Sequence, residues 1–272
     1  MSLHLESAGP VGARSLVMLH GWGMHSGLWL PFLPRLVERY RVHRLDLPGH
    51  GYSRTMEVPA SLPSIVEAVD LATADAGVTG PLIVIGWSLG GQIALECARL
   101  HAERVGAMVL ISTTPSFVQR PGWPHAMAEA TLRQFGDELR VAYRPTLQRF
   151  VTLQVQGSEH ARSALAALRS ELFARGEPSP RELNASLELL AGTDLRAEVE
   201  AITQPALVIA GDRDALTPVA AAQWLATALP RATLAIVPGA AHAPFLSHPE
   251  RVAAAIDAFV DAHPNAGIDD AR

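Results

Sequence analysis

Residues 81–91 read Pro81-Leu82-Ile83-Val84-Ile85-Gly86-Trp87-Ser88-Leu89-Gly90-Gly91. The run Leu82–Ile85 is apolar without polar alternation, which fits a strand covered on both faces. Periodicity alone also allows a short core helix. Gly86 stops the run, and its Ile and Val content favours a strand. Gly86–Gly90 then matches G-x-S-x-G, and a helical pattern follows over 89–102. Strand, sharp turn with serine at its tip, then helix is the context in which this motif presents a nucleophile. Small residues two before and two after the serine let the chain wind tightly around it. Ser88 then stands at a helix amino end, where backbone N–H groups favour developing negative charge. A serine that merely caps the helix is the plain alternative.

The same grammar repeats outward. Residues 15–20, 42–46, 105–111, 206–211 and 233–237 read as further strands. Helical patterns lie between them at 30–40, 61–76, 218–228 and 250–262. This alternation predicts an α/β fold, a mostly parallel sheet with helices on both faces. It breaks between Thr114 and Asp194, where helical patterns at 124–135, 137–155, 159–174 and 180–191 follow one another. Residues 1–114 and 194–272 are therefore expected to form the core, and 115–193 a helical cap over the sheet's carboxyl edge, where open α/β sheets bind ligands. The polar tail 263–272 is expected to fray.

Composition sets the outer limits. The chain has 272 residues, 49% hydrophobic and 18% charged, enough for a large core. Lys plus Arg number 22 against 27 Asp plus Glu, a formal charge of −5, and every basic side chain but histidine is Arg. That balance does not suit a nucleic-acid binder, which neutralises phosphates with a basic surface. The single Cys97 excludes an intrachain disulfide and a cysteine-based zinc site. There is no secretory leader pattern and no apolar run near the roughly 20 residues that span a bilayer. The expectation is a cytoplasmic monomer without membrane attachment.

A serine hydroxyl needs a general base. Among 11 histidines, His242 follows the strand 233–237 in the loop Pro238–Phe245, at the sheet edge that holds Ser88. His248 is the nearest rival, but Ser247-His248-Pro249 reads as a helix start. The orienting acid belongs on another loop at that edge, and Gly211-Asp212-Arg213-Asp214 offers two. Asp214 lies farther along and can reach back to His242. Asp212 sits nearer the strand and is expected to bond backbone or Arg213. Two amides are expected to hold an oxyanion: that of Leu89, and that of Trp22 in His20-Gly21-Trp22-Gly23, with the indole lining an acyl pocket.

With Asp46–Ser53 (DLPGHGYS) and the loop GAAHAPF added, these motifs resemble the α/β hydrolase superfamily over nearly the whole chain. The order Ser88, Asp214, His242 is that superfamily's nucleophile, acid and base order. Closer still, GWSLGGQIAL, Gln148–Gln154, Leu189–Arg196 and AAHAPFLSHP resemble the biotin-pathway pimeloyl-acyl-carrier-protein methyl ester esterases. The resemblance implies hydrolysis of the pimeloyl methyl ester to methanol, without cofactor or metal. It implies an acyl channel lined by Trp22, Ser88, Leu89, Phe150, Val151, Thr152, Leu153, Gln154 and His242. It also implies docking of an acidic carrier protein by Arg149 and Arg162. Pro145 and Ala166 stand where two further arginines are expected, with Arg144 and Arg169 nearby. Other readings are an esterase or lactonase for small free esters, or a hydrolase-fold binder without turnover. Ser88 excludes haloalkane-type chemistry, which puts Asp at the turn.

Overall fold

A computed structural model describes residues 2–266. Part of the tail read as frayed, 267–272, lies outside them. Among the described residues there are seven strands, β1 (Leu5–Ala8), β2 (Ser15–Leu19), β3 (Arg41–Leu45), β4 (Leu82–Trp87), β5 (Val105–Ile111), β6 (Ala206–Gly211) and β7 (Ala232–Val237). They form one sheet in the order β1-β3-β2-β4-β5-β6-β7. Only β1 is antiparallel, pairing Leu5 with Leu45 and Ala8 with Val42. Its four residues (LESA) carry no apolar run, so nothing in the pattern announced an edge strand there.

Parallel pairing in register sends every carboxyl end the same way. Gly86 pairs with Leu19 on one side and Leu110 on the other. Gly211 pairs with Val237. The loops that leave β2, β4, β6 and β7 therefore emerge together, and these carry Trp22, Ser88, Asp214 and His242. β4 lies central and is buried throughout, so the serine turn rests on the most constrained strand.

The flanking helices are α1 (Leu62–Asp75), α2 (Leu89–Leu100), α7 (Val219–Ala228) and α9 (Pro249–Ala262). Residues 30–40 are not the helix their apolar spacing predicts. They hold a 3-10 turn at Leu33–Arg35, following another at Ser26–Trp29. Pro31 and Pro34 remove the amides a continuous α-helix needs. Between β5 and β6 come α3 (Glu129–Val141), α4 (Tyr143–Leu153), α5 (Ala161–Glu171) and α6 (Pro180–Gly192). The first of these starts five residues later than its pattern, because 115–128 are taken up by bridges Val118–Met127 and Arg120–Trp123. A short α8 (Pro244–Ser247) interrupts the last loop. Among the described residues no helix is long and apolar enough to cross a membrane.

Candidate active site

Ser88 holds φ 55° and ψ −116°, a left-handed conformation rare outside glycine. Such strain costs on the order of 1–3 kcal/mol and persists only where the surroundings enforce it. Here they do. The Ser88 amide donates to Ile111 O at 3.0 Å, and Thr113 Oγ1 donates to Ser88 O at 2.7 Å. A Cβ on Gly90 would lie 2.3 Å from Leu19 O, and one on Gly86 2.2 Å from Gly90 O. Both glycines of the motif are thus required by contact. Leu89 opens α2, so its amide has no partner inside the helix.

Asp214 and His242 meet 28 residues apart in sequence. The His242 Nδ1–H donates to Asp214 Oδ2 at 2.8 Å. The same oxygen accepts from Thr217 Oγ1 at 2.5 Å, while Oδ1 accepts the Leu216 and Thr217 amides at 2.9 and 3.0 Å. Burial alone would raise the Asp214 carboxyl, but the charge of His242 and these hydrogen bonds outweigh it and hold it below the usual carboxylate range. With Nδ1 committed to the carboxylate, the Nε2 of a neutral His242 is left as a proton acceptor. Ser88 and His242 share a cavity wall rather than a hydrogen bond. Such contacts are often long without substrate and tighten with it.

The loop bearing His242 is fixed from two sides. The Trp87 indole donates to His242 O at 2.8 Å, and the His242 amide donates to Gln154 O at 3.0 Å. The Trp87 ring also packs edge-on against Phe245, centroids 5.3 Å apart. Asp212 turns away and accepts the Gly239 amide at 2.7 Å. Arg213 bonds Gly157 O and Glu159 instead. His248 sits at the start of α9, its ring against Ser247 Oγ.

A cavity of about 380 Å³ opens onto Ser88 and His242. Its wall is mainly apolar, with Trp22, Phe117, Phe135, Phe150 and Leu187 among the large side chains, and its polar side is Gln134, Glu138 and Arg149. This is the size and character of a small-molecule pocket. The Trp22 indole donates to Leu183 O of α6 at 3.1 Å, and its ring meets Phe150 edge-on at 5.2 Å. Of the segment 150–154, the structure puts Phe150 and Leu153 on the cavity wall. It does not put the other three there. Val151 is buried in the core, Thr152 is exposed, and Gln154 reaches the site only through its carbonyl behind His242. One helical turn cannot aim five successive side chains at one space. Leu89 is likewise buried and offers its amide rather than its side chain.

Arg149 lines the cavity and pairs with Glu138. Arg162 is exposed on α5, away from the cavity wall. Sequence reasoning missed Thr113, Thr217 and Trp87, which brace the turn, the acid and the base. No motif marks them: Thr113 and Trp87 act across sequence gaps that only the fold closes, and Thr217 meets Asp214 only through the winding of their shared loop.

The alpha/beta hydrolase family profile matches residues 16–255. A protein from Nitrosomonas europaea named pimeloyl-[acyl-carrier protein] methyl ester esterase is 45% identical over 258 residues, covering 95% of this chain and 99% of that relative. A protein of the same name from Xanthomonas axonopodis pv. citri is 42% identical, covering 96% of this chain and 100% of its own. Among solved structures, the esterase EaEST from Exiguobacterium antarcticum superposes with a TM-score of 0.85 at 22% identity, over 95% of each chain. The match along nearly the whole length, with a parallel sheet whose central strand ends in a serine turn, means that this chain belongs to the alpha/beta hydrolase family, on the branch of the pimeloyl-[acyl-carrier protein] methyl ester esterases.

Proposed function

We propose that this chain is a cytoplasmic, monomeric serine carboxylesterase that hydrolyses the methyl ester of a pimeloyl-[acyl-carrier protein] in biotin biosynthesis. The observation that carries the reading is His242, paired with the buried Asp214, opening with Ser88 onto one mainly apolar cavity. The relatives' shared name supplies the substrate.

In this reading Ser88 is the nucleophile, His242 the base and Asp214 the orienting acid. His242 Nε2 takes the Ser88 proton as Oγ attacks the ester carbonyl. The Leu89 and Trp22 amides hold the oxyanion, where one donor is typically worth about 10²–10³ in turnover. His242 returns the proton to departing methoxide, giving methanol, and the acyl-serine remains. Water, losing a proton to His242, then attacks that ester. Its collapse releases the free carboxyl end of the chain and regenerates Ser88. Asp214 keeps Nδ1 protonated and stabilises the imidazolium formed on the way.

Residues 115–193 act as the cap. The apolar wall around Trp22, Phe150 and Leu153 takes the acyl chain, and Arg149 with Arg162 meets the acidic carrier beyond it. The test is kcat/KM on pimeloyl-carrier methyl ester against matched free methyl esters. Preference for the carrier-linked ester supports the reading. Equal or better use of free esters makes this chain a small-ester hydrolase instead, and saturable binding without turnover makes it a binder.

A further inference from the structure

The Trp22 amide assigned above to the oxyanion sits in a loop, 20–25, without regular structure. Three side chains tie it to one neighbouring loop, 46–53: His20 of its own, and Asp46 and His50 of that loop. On the near side of Trp22, the His20 Nδ1–H donates to Gly21 O at 2.8 Å, and His20 Nε2 accepts the Leu47 amide at 3.0 Å. On the far side, His50 Nε2 accepts the Gly23 amide at 3.2 Å, while its Nδ1–H donates to Pro48 O at 2.8 Å. Beyond that, Asp46 Oδ1 accepts the Ser26 amide at 2.7 Å. Both peptides that flank Trp22 are therefore pinned, one by each histidine.

The chain around His50 is wound for this. Gly51 has φ +52°, and a Cβ there would lie 2.3 Å from Asp46 Oδ2, so the backbone packs directly on the carboxylate. His50 is 2% exposed and its ring lies edge-on to His20, centroids 5.2 Å apart. Because Nδ1 spends its proton on Pro48 O, Nε2 can only accept. Burial favours this neutral form and lowers the pKa of His50. Without the ring nitrogen the Gly23 amide would be buried and unpaired, which costs the desolvation of that group. The cheapest response is rotation of the 22–23 peptide, which moves the Trp22 Cα; the Trp22 N–H lies in the preceding 21–22 peptide, held at its carbonyl by His20, and tilts with that Cα.

We propose that His50 is a positioning residue for ester hydrolysis, fixing the Trp22 amide toward the oxyanion by accepting the Gly23 amide. This rests on the oxyanion reading of Trp22. The role is electrostatic preorganisation: a donor already aimed at developing charge costs no reorganisation during reaction.

The experiment compares wild type, His50→Leu, His50→Gln and His50→Asn on a small chromogenic ester. It also measures inhibition by an alkyl trifluoromethyl ketone, which adds Ser88 Oγ to give an oxyanion, and by the matched methyl ketone. Leu fills the space without an acceptor. Gln carries an oxygen near the place of Nε2, and Asn is too short to reach it. The expected result is a fall in kcat of about tenfold or more for Leu, with KM within about twofold, short of the full loss of a donor. The affinity advantage of the trifluoromethyl ketone should shrink by the same factor, and Gln should recover most of both. Wild-type kcat in folded His50→Leu overturns the proposal. So does a loss of kcat with the ketone advantage intact. If His50→Leu does not fold, the Gln–Asn pair decides, and equal values for the two overturn it. No ketone advantage in wild type would instead overturn the oxyanion reading itself.

Discussion

Replacing Asp214 by Asn should cost turnover far more than stability, and the structure says why. The amide could enter in two orientations. In one, its oxygen takes the place of Oδ1 and still accepts from the Leu216 and Thr217 amides, held at 2.9 and 3.0 Å in the native protein. Its NH₂ then faces His242 Nδ1, where Oδ2 accepted at 2.8 Å. In the other, NH₂ faces two amide donors and forfeits two hydrogen bonds, each worth about 1 kcal/mol net, with two buried donors left unpaired. The first orientation wins. An NH₂ opposite Nδ1 forces that nitrogen to accept, so the imidazole proton moves to Nε2 and the base faces Ser88 already protonated. The wrong tautomer is expected to cost up to about 10⁴ in kcat, or about 5.4 kcal/mol at 1.36 kcal/mol per decade. Because the acceptor for both backbone amides survives, the melting temperature should move by only a few degrees. Asp214→Ala, which orphans both amides, should melt several degrees lower. The assay is hydrolysis of a chromogenic short-chain ester, paired with thermal melts by circular dichroism. Asp212→Asn is the control, since Asp212 only accepts the Gly239 amide. Turnover by Asp214→Asn within tenfold of wild type would refute this reasoning, as would a larger loss in folded Asp212→Asn.

Ser88→Ala should abolish labelling by a fluorophosphonate probe and nearly all turnover while leaving the melt unchanged; probe on any other serine would remove Ser88 from its role. Arg149→Glu with Arg162→Glu should lower kcat/KM on carrier-linked ester, most at low salt where screening is weakest, and leave a small free ester almost unaffected; equal loss on both would assign these arginines to the fold or pocket. Stability should fall with acid well before the carboxylates titrate. Burial lowers His20 to about 3 and His43 to about 4, whereas the unfolded chain binds these protons near about 6.5. Unfolding therefore takes up protons in that window, so their contribution is complete above about pH 6.5 and lost progressively toward pH 4. Melts at pH 7.5, 6 and 5 should step downward, with His43→Gln flattening the slope; equal melting temperatures at pH 7.5 and 5 would contradict it.

The strands that build the site were legible because each is a short apolar run ended by Gly, Pro or His. Such runs arise when helices cover both faces of a sheet. β1 escaped notice because an antiparallel edge strand needs no such run. Its backbone pairs with β3, and its Leu5 is only partly buried. The 30–40 segment misled for the opposite reason: apolar spacing persisted, but two prolines withheld the amides. At the site, Ser88 and His242 could be read because each follows a strand's carboxyl end. Choosing Asp214 over Asp212 needed only loop position, and the structure gives each carboxylate a different partner. The acyl wall was less legible. A contiguous stretch such as 150–154 names a region, whereas a helix offers a cavity only every third or fourth side chain. That rule selects Phe150 and Leu153 and leaves out the residues between them.

Charge was the hardest property to read from order alone. Residues 140–175 look basic because Arg140, Arg144, Arg149, Arg162, Arg169 and Arg175 outnumber the acids within that window. In the fold most of them are already answered from outside it. Arg140 pairs with Asp137 and Glu188, Arg144 with Glu177, and Arg149 with Glu138. Arg175 is not surface charge at all. It is buried against Glu6 and Asp46, with its guanidinium over the Tyr52 ring. It ties the segment after α5 to the loop that braces Trp22. Among the described residues, Arg162 and Arg169 are left without a carboxylate partner, two turns apart on α5. An exposed pair is worth only about 0.2–1 kcal/mol, so Arg149 can exchange Glu138 for an acidic partner at little net gain or loss. Any steering of such a partner therefore depends on α5 first. Arg149, at the cavity wall, would contribute after contact, once a chain is threaded past it toward Ser88.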